Sequence, residues 1–267
     1  MQEMFESEIE KYEEALKQYK NTIDTKVAIE VLRSRDEILF TAHSCAIEGN
    51  SFTVGDTQEL KEKGLGLIPQ NKTLFEAFEI LDHFKAYEFL LSDTSRPLTE
   101  SLLKETHKIM MSTTLPYKVP GAVPGEYTDT DMCAGETVFG DHEILISRVP
   151  KLLESTQKAI EEKSQHPMVI AARFHGFYEY LHPFRDGNGR IGRLFSNYIL
   201  QMMGQPMIVI DSKDKPEYLD CLNAIRKENT DEYLVRFFFK TATNKMLQDV
   251  KDHKSASIKQ MMMNFVF

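Results

Sequence analysis

The run His182-Pro183-Phe184-Arg185-Asp186-Gly187-Asn188-Gly189-Arg190-Ile191-Gly192-Arg193 places a base, a carboxylate, flexible backbone and two arginines within twelve residues. Histidine, with an ordinary pKa of about 6.5, suits general-base work near neutral pH, so His182 is the candidate base. Gly187 and Gly189 let backbone approach a ligand without Cβ interference. Arg190 and Arg193, three residues apart, can grip neighbouring phosphates with paired donors. Asp186 would repel those phosphates unless it holds Mg²⁺, an ion commonly bound by one or two carboxylates together with substrate oxygens. Singly, each residue has a structural explanation, since a histidine at a helix end or a Gly-Asn-Gly turn is commonplace. Together they spell phosphate chemistry.

Two helices must hold this run. Upstream, Ala171, Phe174, Tyr178 and Leu181 recur at three- and four-residue steps behind Pro167, the pattern of a buried helix that ends near the motif. Downstream, Ile191, Leu194, Phe195, Tyr198 and Ile199 form the apolar stripe of a second helix, which stops at Gly204 ahead of Pro206. The motif is therefore a loop between helices. It aims unpaired N–H groups and a positive helix end at an anion.

The pattern His-x-Phe-x-Asp/Glu-Gly-Asn-Gly-Arg-x-x-Arg resembles the signature of Fic domains and matches it at every specified position. The resemblance implies a helical Fic fold and transfer of AMP from ATP to a hydroxyl side chain of a target protein, with release of pyrophosphate. It implies that His182 takes the proton of the target hydroxyl and that Asp186 binds Mg²⁺. Asn188 would support the α-phosphate region, and the Gly187 to Gly189 backbone would cradle the phosphates. Arg190 would bind the β- and γ-phosphates, Arg193 the γ-phosphate, and Phe184 would anchor the loop in the core.

A second stretch, Ser44-Cys45-Ala46-Ile47-Glu48-Gly49-Asn50, resembles the inhibitory motif of autoinhibited Fic proteins. Gly49 suits a helix stop, so Glu48 would sit at the negative end of a helix dipole, a cost of about 0.3–1 kcal/mol unless a cation pairs with it. Arg193 is the expected cation, and Ser44, one turn back, would steady the carboxylate by a hydrogen bond. Glu48 would then stand where the γ-phosphate must go. In some Fic relatives this glutamate also helps to remove AMP from targets, which keeps the reverse hydrolysis open here. A nucleotide-sensing interaction protein without turnover is the reading from another class. It has no need of a base, yet His182 is intact. Use of a different nucleotide or a phosphoryl donor also stays open, although kinase-like relatives in the Doc branch alter the Gly-Asn-Gly segment that is unaltered here.

Between Tyr117 and Val149, short apolar stretches at Met132-Cys133-Ala134 and Ile144-Leu145-Ile146 are separated by turn residues such as Gly140-Asp141, which predicts a β-hairpin. In Fic domains such a flap aligns the target by β-augmentation. Gly125-Glu126-Tyr127-Thr128 keeps the tyrosine of the usual flap opening but lacks its arginine. Asn197, one turn beyond Arg193, is a candidate for the adenine pocket.

The remaining sequence bounds the partners. A net charge of −9 and a pI near 5.5, without a Lys/Arg-rich stripe, argue against nucleic acid. No apolar run reaches membrane-spanning length and the start lacks signal-peptide character, so the cytoplasm is expected. Cys45, Cys133 and Cys221 show neither disulfide nor zinc spacing and read as buried or semi-buried thiols. Further helices are expected over 75–91, after a Thr99 cap, and over 150–160, 218–225 and 231–246. The expected organisation is all-α with one small hairpin: an N-terminal lobe over 1–74 carrying the inhibitory motif, a catalytic domain over 75–250, and a tail over 251–267. The sequence leaves the oligomeric state, a homodimer included, open.

Overall fold

A computed structural model of the chain describes residues 3–264 apart from 67, 135, 136 and 140. Helices α1 (Glu6–Thr22), α2 (Lys26–Ile47), α3 (Val54–Lys63) and α4 (Leu74–Leu91) are followed by α5 (Glu100–Met111) and the short α6 (Leu115–Lys118). After a two-strand pairing come α7 (Leu145–Glu162), α8 (Pro167–Leu181), α9 (Asn188–Met202), α10 (Lys215–Lys227) and α11 (Glu232–Asn264). Thr25, Thr53, Thr73 and Thr99 cap α2, α3, α4 and α5 by accepting a first-turn N–H, and Asp56 and Glu76 complete capping boxes on α3 and α4. Helix α9 starts differently. Its N-cap is Gly187 in the left-handed region, with no side-chain cap, so its first N–H groups remain available to an anion.

The motif helices form the centre. Phe174 and Tyr178 of α8 and Ile191, Leu194, Phe195, Tyr198 and Ile199 of α9 are all buried in the main core. Phe5, Tyr12 and Leu16 share that core, because α1 packs along α11. Hence the boundary expected at residue 74 does not separate two cores. A smaller cluster also spans it, with Cys45, Phe52 and Leu60 meeting Ala77, Ile80 and Phe84. Helix α2 is held against α11 by a buried charge network in which Lys245 Nζ lies 2.6 Å from Asp36 and 2.9 Å from Asp249, with Arg35 closing on Asp249. At its other end α2 contacts α9, where Glu48 meets Arg193.

Three expectations change. Ile144-Leu145-Ile146 is not a strand: Asp141 caps a 3₁₀ turn over His142–Ile144 that leads into α7, and Leu145, Val149 and Leu153 are buried at four-residue steps. That helical period outweighs the short apolar run. The β pairing among the described residues is confined to Cys133–Ala134 against Thr137–Val138, antiparallel, with Cys133 opposite Val138. Cys133 is an exposed thiol, whereas Cys45 and Cys221 are buried. The segment expected as a tail from Lys251 continues α11 to Asn264, and Phe265-Val266-Phe267 lies outside the described residues. No helix among the described residues is long and apolar enough to cross a membrane.

Candidate active site

His182 is the C-cap of α8, with φ 50° and ψ 59°, and its N–H reaches the Tyr178 carbonyl at 2.9 Å. A non-glycine residue in that region costs energy that its surroundings must repay. The loop that follows supplies the support. Asn188 Oδ1 accepts from the Phe184 N–H at 2.9 Å while its Nδ2 donates to the Phe184 carbonyl at 2.7 Å, stapling the loop across four residues. Phe184 is fully buried and stacks on His107, ring centres 3.7 Å apart. His107 is a strut: its Nδ1 accepts from the Gly125 N–H at 2.9 Å, so Nε2–H donates to the Asp186 carbonyl at 2.9 Å. Burial pushes its pKa down to about 4, which keeps it neutral.

Arg193 lies one helical turn beyond Gly189 and is 3% exposed. Its Nη2 donates to Glu48 Oε1 at 2.7 Å and to the Ser44 carbonyl at 2.8 Å, while Nε donates to Ser44 Oγ at 3.1 Å. Ser44 thus steadies the guanidinium rather than the carboxylate. Gly49, with φ 100°, ends α2 and lets the chain turn away. A Cβ at position 189 would lie 2.2 Å from Glu48 Oε1, so the missing side chain of Gly189 is what admits the carboxylate to the start of α9. Glu48, Arg193, Gly189, His182 and Tyr218 line one cleft of about 400 Å³. A larger cavity of about 680 Å³ between α1, α10 and α11 contains no motif residue, and its mixed charges show no common chemistry.

A histidine, an uncapped helix N-terminus and a carboxylate-paired arginine thus face one cleft, and residues 97–200, which contain them apart from Glu48, match the Fic/DOC family. The chain belongs to that family. It is 30% identical over 191 residues to the protein adenylyltransferase Fic of Nematostella vectensis, an alignment covering 68% of this chain and 41% of the relative. The chain therefore spans about two fifths of that relative's length. Its fold is similar to that of a Fic domain containing signaling protein from Bacteroides thetaiotaomicron, with TM-score 0.80 and 24% identity over 92% of this chain and 97% of the other. Residues 134–508 of Fic-1 from C. elegans align with TM-score 0.77 and 20% identity over 93% of this chain and 73% of that one.

Within the Fic motif two side chains differ in placement from the sequence reading. Arg190 is 1% exposed and does not line the cleft; its guanidinium faces Glu79 of α4 at 3.6 Å and Asp186 at 3.5 Å. The Asn188 amide is spent on Phe184 and not directed into the cleft. Asp186 stands among cations: burial would raise its pKa, but Arg190, Lys118 at 3.3 Å and the Gly187 N–H hold it below the usual carboxylate range. Lys118 also pairs with Glu79, which accepts from Asn50 Nδ2 at 3.0 Å. Asn197 is a structural staple, its amide exchanging two bonds of 2.9 and 2.7 Å with the backbone of Ile208, and it is fully buried and does not line the cleft.

Sequence reasoning missed Glu79, Lys118, His107, Tyr218, Phe139 and Glu179. The first four are distant in sequence and gave no local signal. Phe139, just past the second strand, stacks on His182 with ring centres 3.7 Å apart, and Arg226 lies 4.5 Å from the Phe139 ring. Glu179 was legible, being three residues before His182 at the end of the same predicted helix, a spacing that brings side chains close.

Proposed function

We propose that this chain is an autoinhibited protein adenylyltransferase, with Glu48 as the inhibitory group. The observation that carries the reading is the cleft in which His182, the uncapped start of α9 and an Arg193 engaged by Glu48 at 2.7 Å converge. In the reaction, a new bond forms between the target's hydroxyl oxygen and the α-phosphorus of ATP. The bond from that phosphorus to the pyrophosphate oxygen breaks, and His182 receives the hydroxyl proton at the ring nitrogen facing the cleft. The N–H groups at the start of α9 bind phosphate oxygens, and Arg193 holds the γ-phosphate once Glu48 leaves. Tyr218, Leu219 and Leu222 of α10, which line the same cleft, offer an apolar wall for the base.

The residues fit a divalent cation. Asp186 Oδ2 is already matched by an ammonium at 3.3 Å, and its carboxylate is kept ionised by its surroundings. Asp186 would hold Mg²⁺, which supplies neutralisation of the phosphate charge. Arg190 acts from behind, fixing Asp186 and adding buried positive charge. The target segment would pair with the short hairpin that carries Phe139 toward His182. Removal of AMP is the second reading. It is favoured by one observation: Glu48 lines the cleft with its side chain 38% exposed, and its second carboxylate oxygen is free to orient a water.

The test is transfer of label from α-labelled ATP to protein by the Glu48→Gly variant, with acceptors located by mass spectrometry. Mg²⁺-dependent labelling that disappears in Glu48→Gly/Asp186→Ala is expected. Labelling that persists without Asp186 would overturn the metal assignment, and none in Glu48→Gly would overturn the activity.

A further inference from the structure

A line of buried polar groups runs behind the cleft, unused by the chemistry above. Arg193 Nη1 donates to Tyr218 Oη at 3.5 Å, and Tyr218 Oη lies 2.6 Å from His175 Nε2. His175 Nδ1, Glu179 Oε1 and His182 Nδ1 are each buried without a hydrogen-bond partner. These atoms are neighbours. A Cβ at Gly192 would lie 2.8 Å from His175 Nδ1 and 2.9 Å from Glu179 Oε1, so both atoms border the gap that the missing side chain leaves. Glu179 Oε2 is 3.7 Å from His182 Nδ1. His175 and Glu179, four residues apart, share one face of α8, and His182, the left-handed C-cap just past its end, turns back toward them.

Donor and acceptor counting fixes the protons along this line. With Tyr218 accepting from Arg193, the arrangement that uses every proton along the line has Tyr218 donating to His175 Nε2, which places the His175 proton on Nδ1, at the gap that Glu179 borders. Burial pushes the His175 pKa down to about 4, so it stays neutral. Burial would raise the Glu179 carboxyl, but His182, His175 and Arg193 outweigh it and hold it at about 2. An ionised carboxylate accepts only, so a hydrogen bond between the two requires His182 to carry its proton on Nδ1. The other nitrogen, Nε2, has no protein partner and is not buried, which leaves its lone pair for the cleft. The Phe139 ring covers one imidazole face. At 3.7 Å the two groups are not hydrogen-bonded in this structure, so the contact proposed below requires them to close by several tenths of an ångström when substrate arrives.

We propose that Glu179 is a positioning residue for His182: its carboxylate takes Nδ1–H, fixes the tautomer that leaves Nε2 basic, and steadies the imidazolium that forms on proton uptake. The proposal rests on His182 being the base of the reaction proposed above. The groups facing Glu179 are His175, Tyr178 and His182 from α8, Arg193 from α9, and Tyr218 and Arg226 from α10.

Two variants test it. Ring ¹⁵N shifts of His182, assigned with His182→Gln, should report the Nδ1–H tautomer in the parent and movement toward Nε2–H in Glu179→Leu. Glu179→Gln keeps an acceptor but not the charge, so in a Glu48→Gly background it should retain the tautomer and lose about 10–10³-fold in kcat, with KM for ATP changed less than about twofold. A thermal melt of each variant separates this from loss of fold. If Glu179→Leu does not fold, Glu179→Gln decides the matter by its kcat and KM. Unchanged ¹⁵N shifts in a folded Glu179→Leu, or unchanged kcat in Glu179→Gln, would overturn the role. Absence of transfer even in the Glu48→Gly parent would instead remove the base assignment, and the ring shifts would still decide whether Glu179 sets the tautomer.

Discussion

Glu48→Gly should weaken the protein and strengthen its hold on ATP at the same time. Arg193 is 3% exposed and loses its one carboxylate at 2.7 Å, but it keeps Ser44 Oγ, the Ser44 carbonyl and Tyr218 Oη. The loss is therefore nearer that of one charge-assisted hydrogen bond, about 1.5–3 kcal/mol, than the roughly 3–5 kcal/mol of a fully stranded buried charge. Glu48 is 38% exposed, and solvent screening trims the figure to about 1–2 kcal/mol. For a chain of this size that corresponds to a melting point lower by about 2–8 °C. ATP should reverse this drop, because the γ-phosphate replaces the missing carboxylate. A coupling of about 1–3 kcal/mol between lock and nucleotide gives a gain in ATP affinity of roughly 5–150-fold, read by calorimetry. Glu48→Gly, Arg193→Ala and the double variant form a cycle in which the gain should vanish whenever Arg193 is absent. Equal ATP affinity and equal transfer in parent and Glu48→Gly would refute the competition between Glu48 and phosphate.

Three further outcomes are expected. In the Glu48→Gly background, His182→Ala should lower AMP transfer by about 10²–10⁴-fold with ATP affinity nearly unchanged, as separate transfer and binding assays would show. Asn188→Ala leaves the Phe184 N–H and carbonyl without their buried partners, so it should cost about 2–4 kcal/mol in denaturant melts and weaken ATP through a loosened anion loop. Burial holds the folded pKa values of His83, His107 and His175 at about 3, 4 and 4. Below about pH 6.5 the unfolded chain takes up protons that the native state refuses, so stability should fall by about 1–3 kcal/mol between pH 6.5 and 5.5, and a flat profile in urea melts would contradict their neutral burial.

The parts of this molecule that were legible in sequence are those built from neighbours along the chain. Pro167 with the stripe to Leu181, the Gly187 break and the stripe from Ile191 fixed the helix–loop–helix frame, because helix period and caps are local properties. The pairing of Glu48 with Arg193 followed from two motifs read together, though charge pairing alone would not have selected that arginine from the others. What escaped were side chains that matter through distant contacts. His107 looks like any helix residue until Phe184 lies on it, and Arg190 could not be known to face Glu79 because the position of α4 is a matter of packing. Ser44 was assigned to the wrong partner for a related reason. One turn of spacing places it beside Glu48, but the incoming guanidinium offers more donors than a carboxylate, which has none. Ile144 to Ile146 was misread because three apolar residues are too few to show their period until Val149 and Leu153 continue it.

Ser44 grips Arg193 through both its hydroxyl and its carbonyl, so under the proposed inhibition the guanidinium would be a fixed post and Glu48 the part that swings away. That difference sets a clock. Rotation of one partly exposed side chain takes picoseconds to nanoseconds, whereas drawing α2 off α9 would break the Asp36–Lys245–Asp249 network and belong to the microsecond-to-millisecond motions. A gate of the first kind has no refractory period. It would open and close many times during a single nucleotide encounter, so throughput would follow the instantaneous supply of competing anion without lag and keep no memory of earlier turnovers.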